Sequence, residues 1–306
     1  MTRRYKLLLH ILAACLLPTG AVSCTDALDI DTGYSTDPCL SVDGMVTDQP
    51  CRQFVRLSLT EDFFSPSTEI PAVSGATVKV SCGGEVFLYE EDPDTPGTYL
   101  SVQPFAGETG KTYRLDIDAQ VKGVTSHYWA EDTMPEIGCQ IDSIDYVYSD
   151  LIEGLWTIAV WARDYFGIQS RYLAQVGING HFKPFDQSYE LPDDRFDGMT
   201  AEGLTVLPLK HNADTWKEFG ECSKPLETGD VINVKVSSLS EGYGRFLMYY
   251  FHLITGTIPI LTDQPANLPS NIRSEERAEG FFGACAVCEA SCEVGDPFKR
   301  EYIQSK

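Results

Sequence analysis

Apolar and polar residues alternate with a period of two along much of the chain, the spacing that sends one face of a strand into a core and the other to solvent. In Phe54–Leu59, Val55, Leu57 and Leu59 share a face; in Ala76–Cys82, Ala76, Val78, Val80 and Cys82 do. In Thr112–Asp118, Tyr113, Leu115 and Ile117 point one way, and Thr112, Arg114, Asp116 and Asp118 the other. The same reading predicts strands at Glu85–Tyr89, Thr98–Gln103, Ser126–Ala130, Ile141–Tyr148, Leu155–Ala162, Arg171–Ile178 and Val231–Ser237. Turn-forming clusters such as Cys82-Gly83-Gly84, Asp92-Pro93-Asp94-Thr95-Pro96-Gly97 and Asn179-Gly180 separate them. One segment departs from this period. Tyr243, Phe246, Leu247, Tyr250, Phe251 and Ile254 fall at helical offsets, so a helix is predicted near 241–255, capped by Ser240. Gly242 and Gly244 weaken its first turn.

Short strands without interleaved helices predict a mainly β protein of two tandem antiparallel β-sandwich domains, immunoglobulin- or transthyretin-like. The single helix would cover an open face or edge of the second. A boundary is placed near Thr133-Met134-Pro135-Glu136, giving domains over 38–132 and 136–306. Residues 182–228 are rich in Pro, Asp and Gly and read as a long irregular region.

The beginning of the chain bears on location. A basic head, Met1–Lys6, precedes the 11-residue apolar run Leu7–Leu17. That run is shorter than the ~20 residues of a spanning helix and fits a secretory signal over 1–23. Ala21-Val22-Ser23-Cys24 places small residues before a cysteine, the pattern a lipoprotein signal peptidase accepts. Cys24 would then be the lipidated N-terminus. The alternative is an ordinary cleavable signal with Cys24 as a structural cysteine. Two or three acyl chains anchor stably, each buried methylene contributing about 0.8 kcal/mol. Residues 24–37, with Asp26, Asp29, Asp31 and Asp37, read as an acidic tether.

Charge narrows the partners. The chain carries 23 Lys+Arg against 45 Asp+Glu, a net -22. Arg3, Arg4 and Lys6 leave with the signal, so the remainder holds 20 against 45, or -25. Nucleic-acid binding is not expected of such a chain, because phosphates require Lys and Arg to displace their counterions. Docking on anionic membranes through basic patches is not expected either.

Residues with chemistry are few. Eight cysteines follow Cys24, and Cys285, Cys288 and Cys292 are the only tight cluster. They read as disulfides or buried thiols, with a metal site or a redox CxxC as alternatives. No GxSxG, HExxH, P-loop or GxGxxG stands in a fitting context, so no catalytic residue is assigned and no enzymatic activity is expected. Asp193, Asp194 and Asp197 beside Gly198 form a weak calcium candidate, the alternative being a solvated loop. Among the aromatics, alternation places Trp161 with Leu155 and Ala159, and Trp156 with Ile158 and Val160, and assigns both tryptophans to the core. Phe182, Phe185, Tyr189 and Trp216 lie in the irregular stretch and are the candidates for a ligand or partner surface.

The run Cys39-Leu40-Ser41-Val42-Asp43-Gly44-Met45-Val46-Thr47-Asp48 opens a resemblance that covers nearly the whole remaining chain. It continues through Val73-Ser74-Gly75-Ala76-Thr77-Val78, Pro96-Gly97-Thr98-Tyr99, Gly110-Lys111-Thr112-Tyr113, Ile141-Asp142-Ser143-Ile144, Asn271-Ile272 and Gly280-Phe281-Phe282-Gly283. The chain resembles an uncharacterised family of Bacteroidota outer-membrane lipoproteins, labelled domain of unknown function 4249. Its first half is also similar to β-sandwich regulatory modules with a GATV…PGTYL…GKTYRL pattern. The resemblance implies a lipid-anchored protein on the outer membrane, at the cell surface or its periplasmic face. It also implies a non-enzymatic accessory or ligand-capture partner of a TonB-dependent receptor. An independent surface binder of glycan, peptide or metal complex is the alternative, and an exported hydrolase a third. The resemblance brings no binding or catalytic residues with it.

Overall fold

A computed structural model describes residues 37–60, 70–148, 155–167, 171–182, 189–191, 198–210, 227–255 and 268–295. The alternating segments form strands: β1 (Leu40–Thr47), β2 (Phe54–Leu59), β3 (Thr77–Cys82), β4 (Glu85–Glu91), β5 (Thr98–Ser101), β6 (Thr112–Val121), β7 (Val124–Thr133) and β8 (Cys139–Tyr148). They continue with β9 (Leu155–Asp164), β10 (Arg171–Ile178), β11 (His181–Phe182), β12 (Tyr189–Leu191), β13 (Thr200–Lys210) and β14 (Val231–Leu239). Helix α1 (Glu241–Thr255) follows, then the 16-residue β15 (Ala278–Glu293). No helix among the described residues is long and apolar enough to cross a membrane.

The larger sheet runs β11-β10-β14-β15-β1-β2-β5-β4-β3-β6-β7, with β12 also paired to β10. The smaller runs β13-β9-β8. The larger sheet folds over at its β7 end. Trp129 N–H donates to Arg273 O at 2.9 Å, and Arg273 N–H returns to Trp129 O at 2.8 Å, in the segment leading to β15. The enclosed core holds Leu40, Val55, Leu57, Leu115, Ile117, Tyr128 and Phe282, all essentially without solvent contact. Each such side chain contributes roughly 1.5–3 kcal/mol. A second core forms where β8 and β9 face β10 and β14: Ile141, Ile144, Tyr146, Ile158 and Val160 meet Val176, Ile232 and Val234.

Besides β1, which was not among the predicted strands, two features differ from the sequence reading. The first concerns β15, which was not anticipated as a strand. Its residues Ala278 to Cys285 pair in parallel with β1, from Leu40↔Ala278 to Thr47↔Cys285. Its residues Ala286 to Glu293 pair antiparallel with β14. The larger sheet is therefore not wholly antiparallel, and β15 pairs both with β1, before residues 133–136, and with β14, after them. Residues 38–306 form a single compact unit. The parallel pair is sterically possible because β15 returns after a long excursion, as a parallel neighbour must.

The second concerns 182–228, read as irregular but containing β12 and β13. Strand β13 is masked in sequence by bulges between Ala201 and Leu204 and between Thr205 and Leu207, which shift the phase of its alternation. Its Pro208 is tolerated because β13 lies at the edge of its sheet.

Helix α1 forms from its apolar stripe and its cap. Ser240 Oγ accepts Tyr243 N–H at 3.2 Å. Tyr243 and Leu247 pack with Leu173, Leu239, Phe281 and Cys285, and Met45 on β1 joins them. The helix thus covers β10 and β15 of the larger sheet, where β15 runs beside β1.

Candidate functional site

The segments that carry the sequence resemblance turn out to hold the fold. Tyr99, 1% exposed, accepts Ala76 N–H at 2.9 Å and donates to Val73 O at 2.9 Å. One phenol thereby ties the Val73–Val78 run to Pro96–Tyr99. Glu91 accepts Gly75 N–H and Gly97 N–H at 2.9 and 2.8 Å, holding the same two turns. Those hydrogen bonds draw its carboxyl below the usual range, against a desolvation that raises it. Tyr113 Oη accepts Glu108 N–H at 2.7 Å beside Gly110. Asn271 donates to Phe282 O at 2.8 Å and accepts Phe282 N–H at 3.0 Å, filling the seam between β7 and β15.

Gly280 explains itself by contact. Its φ is +99°, and a Cβ there would lie 1.9 Å from Val42 O, so the parallel pairing with β1 requires glycine. At Gly283 a Cβ would meet the Tyr243 ring at 2.7 Å, so its absence lets α1 seat on β15.

A half-buried carboxylate sits at the same junction. Asp132 Oδ2 accepts Ala284 N–H at 2.9 Å and Ser240 Oγ–H at 3.0 Å. Desolvation by burial pushes its carboxyl up to about 6, the hydrogen bonds pulling the other way. It links β7, β15 and the helix cap.

Chemistry facing solvent is concentrated on the outer face of β6 and β7. Alternation puts Arg114, Asp116 and Asp118 of β6 beside His127, Trp129 and Glu131 of β7, in the pairs Arg114↔Glu131, Asp116↔Trp129 and Asp118↔His127. Arg114 bonds Asp116 at 3.1 Å and Glu131 at 3.2 Å. The His127 ring meets Asp118 at 2.8 Å through Nδ1 and Asp116 at 3.2 Å through Nε2. Two guanidiniums lie over the Trp129 ring, Arg114 at 4.4 Å and Arg273 at 4.9 Å. Next to them opens a cleft of about 530 Å³ lined by Thr125, Ser126, His127, Trp129, Arg273, Ser274 and Glu275. Hydroxyls, an imidazole, a guanidinium and a carboxylate converge there, a set suited to binding a neutral or zwitterionic polar ligand.

The sequence-predicted site residues are dispersed. Phe182 lies on β11, where Lys235 Nζ sits 4.4 Å from its ring centroid. Tyr189 pairs with Ala174 at the edge of the sheet. Phe185, Trp216, Asp193, Asp194, Asp197 and Cys24 lie outside the described residues. No group of three His, Cys, Asp or Glu side chains able to hold a metal occurs among the described residues. Cys285, Cys288 and Cys292 do not converge. Cys285 is fully buried against α1, whereas Cys288 and Cys292 pack into the second core. The separation of three residues puts Cys285 on the opposite face of β15 from Cys288. Cys288 instead meets Cys139 of β8, sulfur to sulfur, at 3.4 Å. Trp161 is half-buried on the outer face of β9, against Gly203, rather than in the second core. The Trp129 cleft was missed, although the polar face of β6 was recognised; reading β7 with the same parity exposes it.

Fold and surface together define a β-sandwich protein whose outer sheet face carries a polar cleft. The chain belongs to the family described as Domain of unknown function (DUF4249), whose model matches residues 25–291. No curated protein matches it. Among solved structures, it is similar at 12% identity and a TM-score of 0.19 to the chicken CNTN1 FN1–FN3 domains. That similarity covers 67% of this chain and 63% of the other.

Proposed function

We propose that this protein is a lipoprotein of the outer membrane, of the Bacteroidota kind, anchored through acylated Cys24. In this reading it serves as a non-enzymatic ligand-capture partner of a TonB-dependent transporter. The observation that carries the reading is the order of parts at the N-terminal side. A short apolar run and Ala21-Val22-Ser23 precede Cys24, an acidic stretch follows, and the compact unit begins at Pro38. Fourteen residues lie from Cys24 to Asp37. Fully extended they would span roughly 45–50 Å, enough to let the sandwiches reach a neighbouring receptor. The net charge of -25 on the remainder leaves lipid, rather than basic residues, as the means of attachment.

The test uses cells fed an alkyne fatty acid. The wild-type chain takes up label and fractionates with outer membranes, and Cys24→Ala abolishes both. An unlabelled wild-type chain contradicts the anchor. Failure to co-purify with a transporter from cross-linked membranes, label being present, contradicts the partner alone.

A second reading, an independent binder of glycan or peptide, is favoured by the Trp129 cleft. Binding of the soluble domain to an arrayed glycan without any receptor, lost in Arg273→Ala, would support it over the first.

A further inference from the structure

We propose that Cys139 and Cys288 are oxidised to a disulfide that staples the two layers of the second sandwich. The two sulfurs are 3.4 Å apart, on strands that belong to different sheets. A disulfide is about 2.05 Å long, so the gap to close is about 1.4 Å.

The strands are already held in place around the pair. Gly138 N–H, next to Cys139, donates to Ser238 Oγ of β14 at 2.9 Å. Ser238 pairs with Ala286, two residues from Cys288. At the other end of β8, Tyr146 Oη accepts Gly295 N–H at 2.9 Å. Closure therefore calls on two side chains within a frame fixed at both ends.

The other nearby thiols are excluded by geometry. Cys285 points to the opposite face of β15, beneath α1. Cys292 lies four residues along the same face as Cys288, about 13 Å away. Cys39 is engaged by Thr60, with its sulfur 3.5 Å from the hydroxyl.

The two thiols are unequal in a way that suits thiol–disulfide exchange. Cys139 is 8% exposed, whereas Cys288 is partly open. The hydrogen bond from Cys139 lowers the Cys288 thiol and raises that of Cys139, so Cys288 is the attacking thiolate. The oxidant is a small-molecule or protein disulfide. Cys288 sulfur attacks one of its sulfurs, forming a mixed disulfide and releasing a thiolate. Cys139 then loses its proton and attacks Cys288 sulfur, releasing the second thiolate. Two thiols are oxidised, one external disulfide is reduced to two thiols, and two protons are passed on. The bond closes a loop of about 150 residues, a span at which cross-linking restricts the unfolded chain strongly.

The experiment treats the purified full chain with oxidised glutathione, unfolds it without reductant, alkylates it and maps the peptides. The expected result is one linked pair, Cys139 to Cys288, in a protein two hydrogens lighter. Cys139→Ser frees Cys288 to alkylation, and reduction of the wild type lowers the melting temperature by roughly 10 °C. Full alkylation of both residues in the oxidised wild type overturns the proposal. So does recovery of Cys288 linked to Cys222 or Cys292. The mapping needs no variant, so a misfolded mutant cannot obscure the answer, and it is independent of whether Cys24 is acylated.

Discussion

The two hydrophobic cores of the molecule, here the first and second sandwich regions, are closed by different means. In the first, polar side chains bind backbone: buried Tyr99 and half-buried Asn271 and Asp132 sit in the turns and the seam, joined by Gln53. Gln53, 2% exposed, accepts Thr47 N–H at 3.0 Å and donates to Thr47 O, Gln49 O and Phe105 O. In the second, two sheets meet face to face through Ile, Val and Tyr side chains, and Cys139 and Cys288 face each other across the gap. Strand β15 belongs to both. Its even-numbered residues Phe282, Ala284 and Ala286 enter the first core, and Cys288, Ala290 and Cys292 enter the second. Amide and phenol hydrogen bonds set register at particular residues, whereas apolar faces tolerate exchange of similar volumes. The comparison therefore teaches that substitutions at the polar clamps fall hardest on the first sandwich, and that damage to β15 reaches both.

The strongest way to break the contrast is Gly280→Ala. Its Cβ would collide with Val42 O, so the parallel seam must open. A loss of more than about 4 kcal/mol is expected in urea unfolding, and it should affect both sandwiches together.

Asp132→Asn sharpens the comparison through pH. The folded carboxyl titrates near 6, above the ~3.8 of an unfolded aspartate. The fold therefore binds this proton more tightly than the unfolded chain. The stabilisation is complete below about pH 4 and is lost as pH rises through about 6, a change of about 3 kcal/mol. The difference between wild type and Asp132→Asn should trace that slope, with the variant gaining on the wild type as pH rises. A difference independent of pH would show that Asp132 ionises normally.

Tyr99→Phe removes one oxygen and leaves Val73 O and Ala76 N–H without their phenol partner. It should cost about 1–3 kcal/mol, measured by denaturant midpoint at constant slope. Tyr89→Phe should act in the opposite direction. The Tyr89 hydroxyl is buried with no hydrogen-bond partner among the described residues, and burial pushes it well above its ordinary titration range. Its removal should raise stability by about 1 kcal/mol.

What could be read from sequence follows the size of the side chains. Phe54–Leu59, Arg171–Ile178 and the helix over 241–255 have large apolar residues at their proper period, and they appear at those bounds. Strand β15 has the same alternation written in Ala, Gly and Cys against Glu and Ser, so its inward face lacks the bulk that announces a strand. Cys285, Cys288 and Cys292 are close in sequence, but strand parity sends Cys285 to the face opposite the other two. The true neighbour of Cys288, Cys139, is 149 positions away, a pairing that local pattern does not contain. The polar cleft likewise depends on Arg273 and Ser274 reaching β7 from a distant segment.

Native-state hydrogen exchange tests the shared strand most directly. Slow amides of β2 and β6 in the first sandwich should open with the same free energy as those of β9 and β10 in the second, because neither core survives the loss of β15. Two distinct opening free energies, with one sandwich still protected while the other exchanges, would contradict the account.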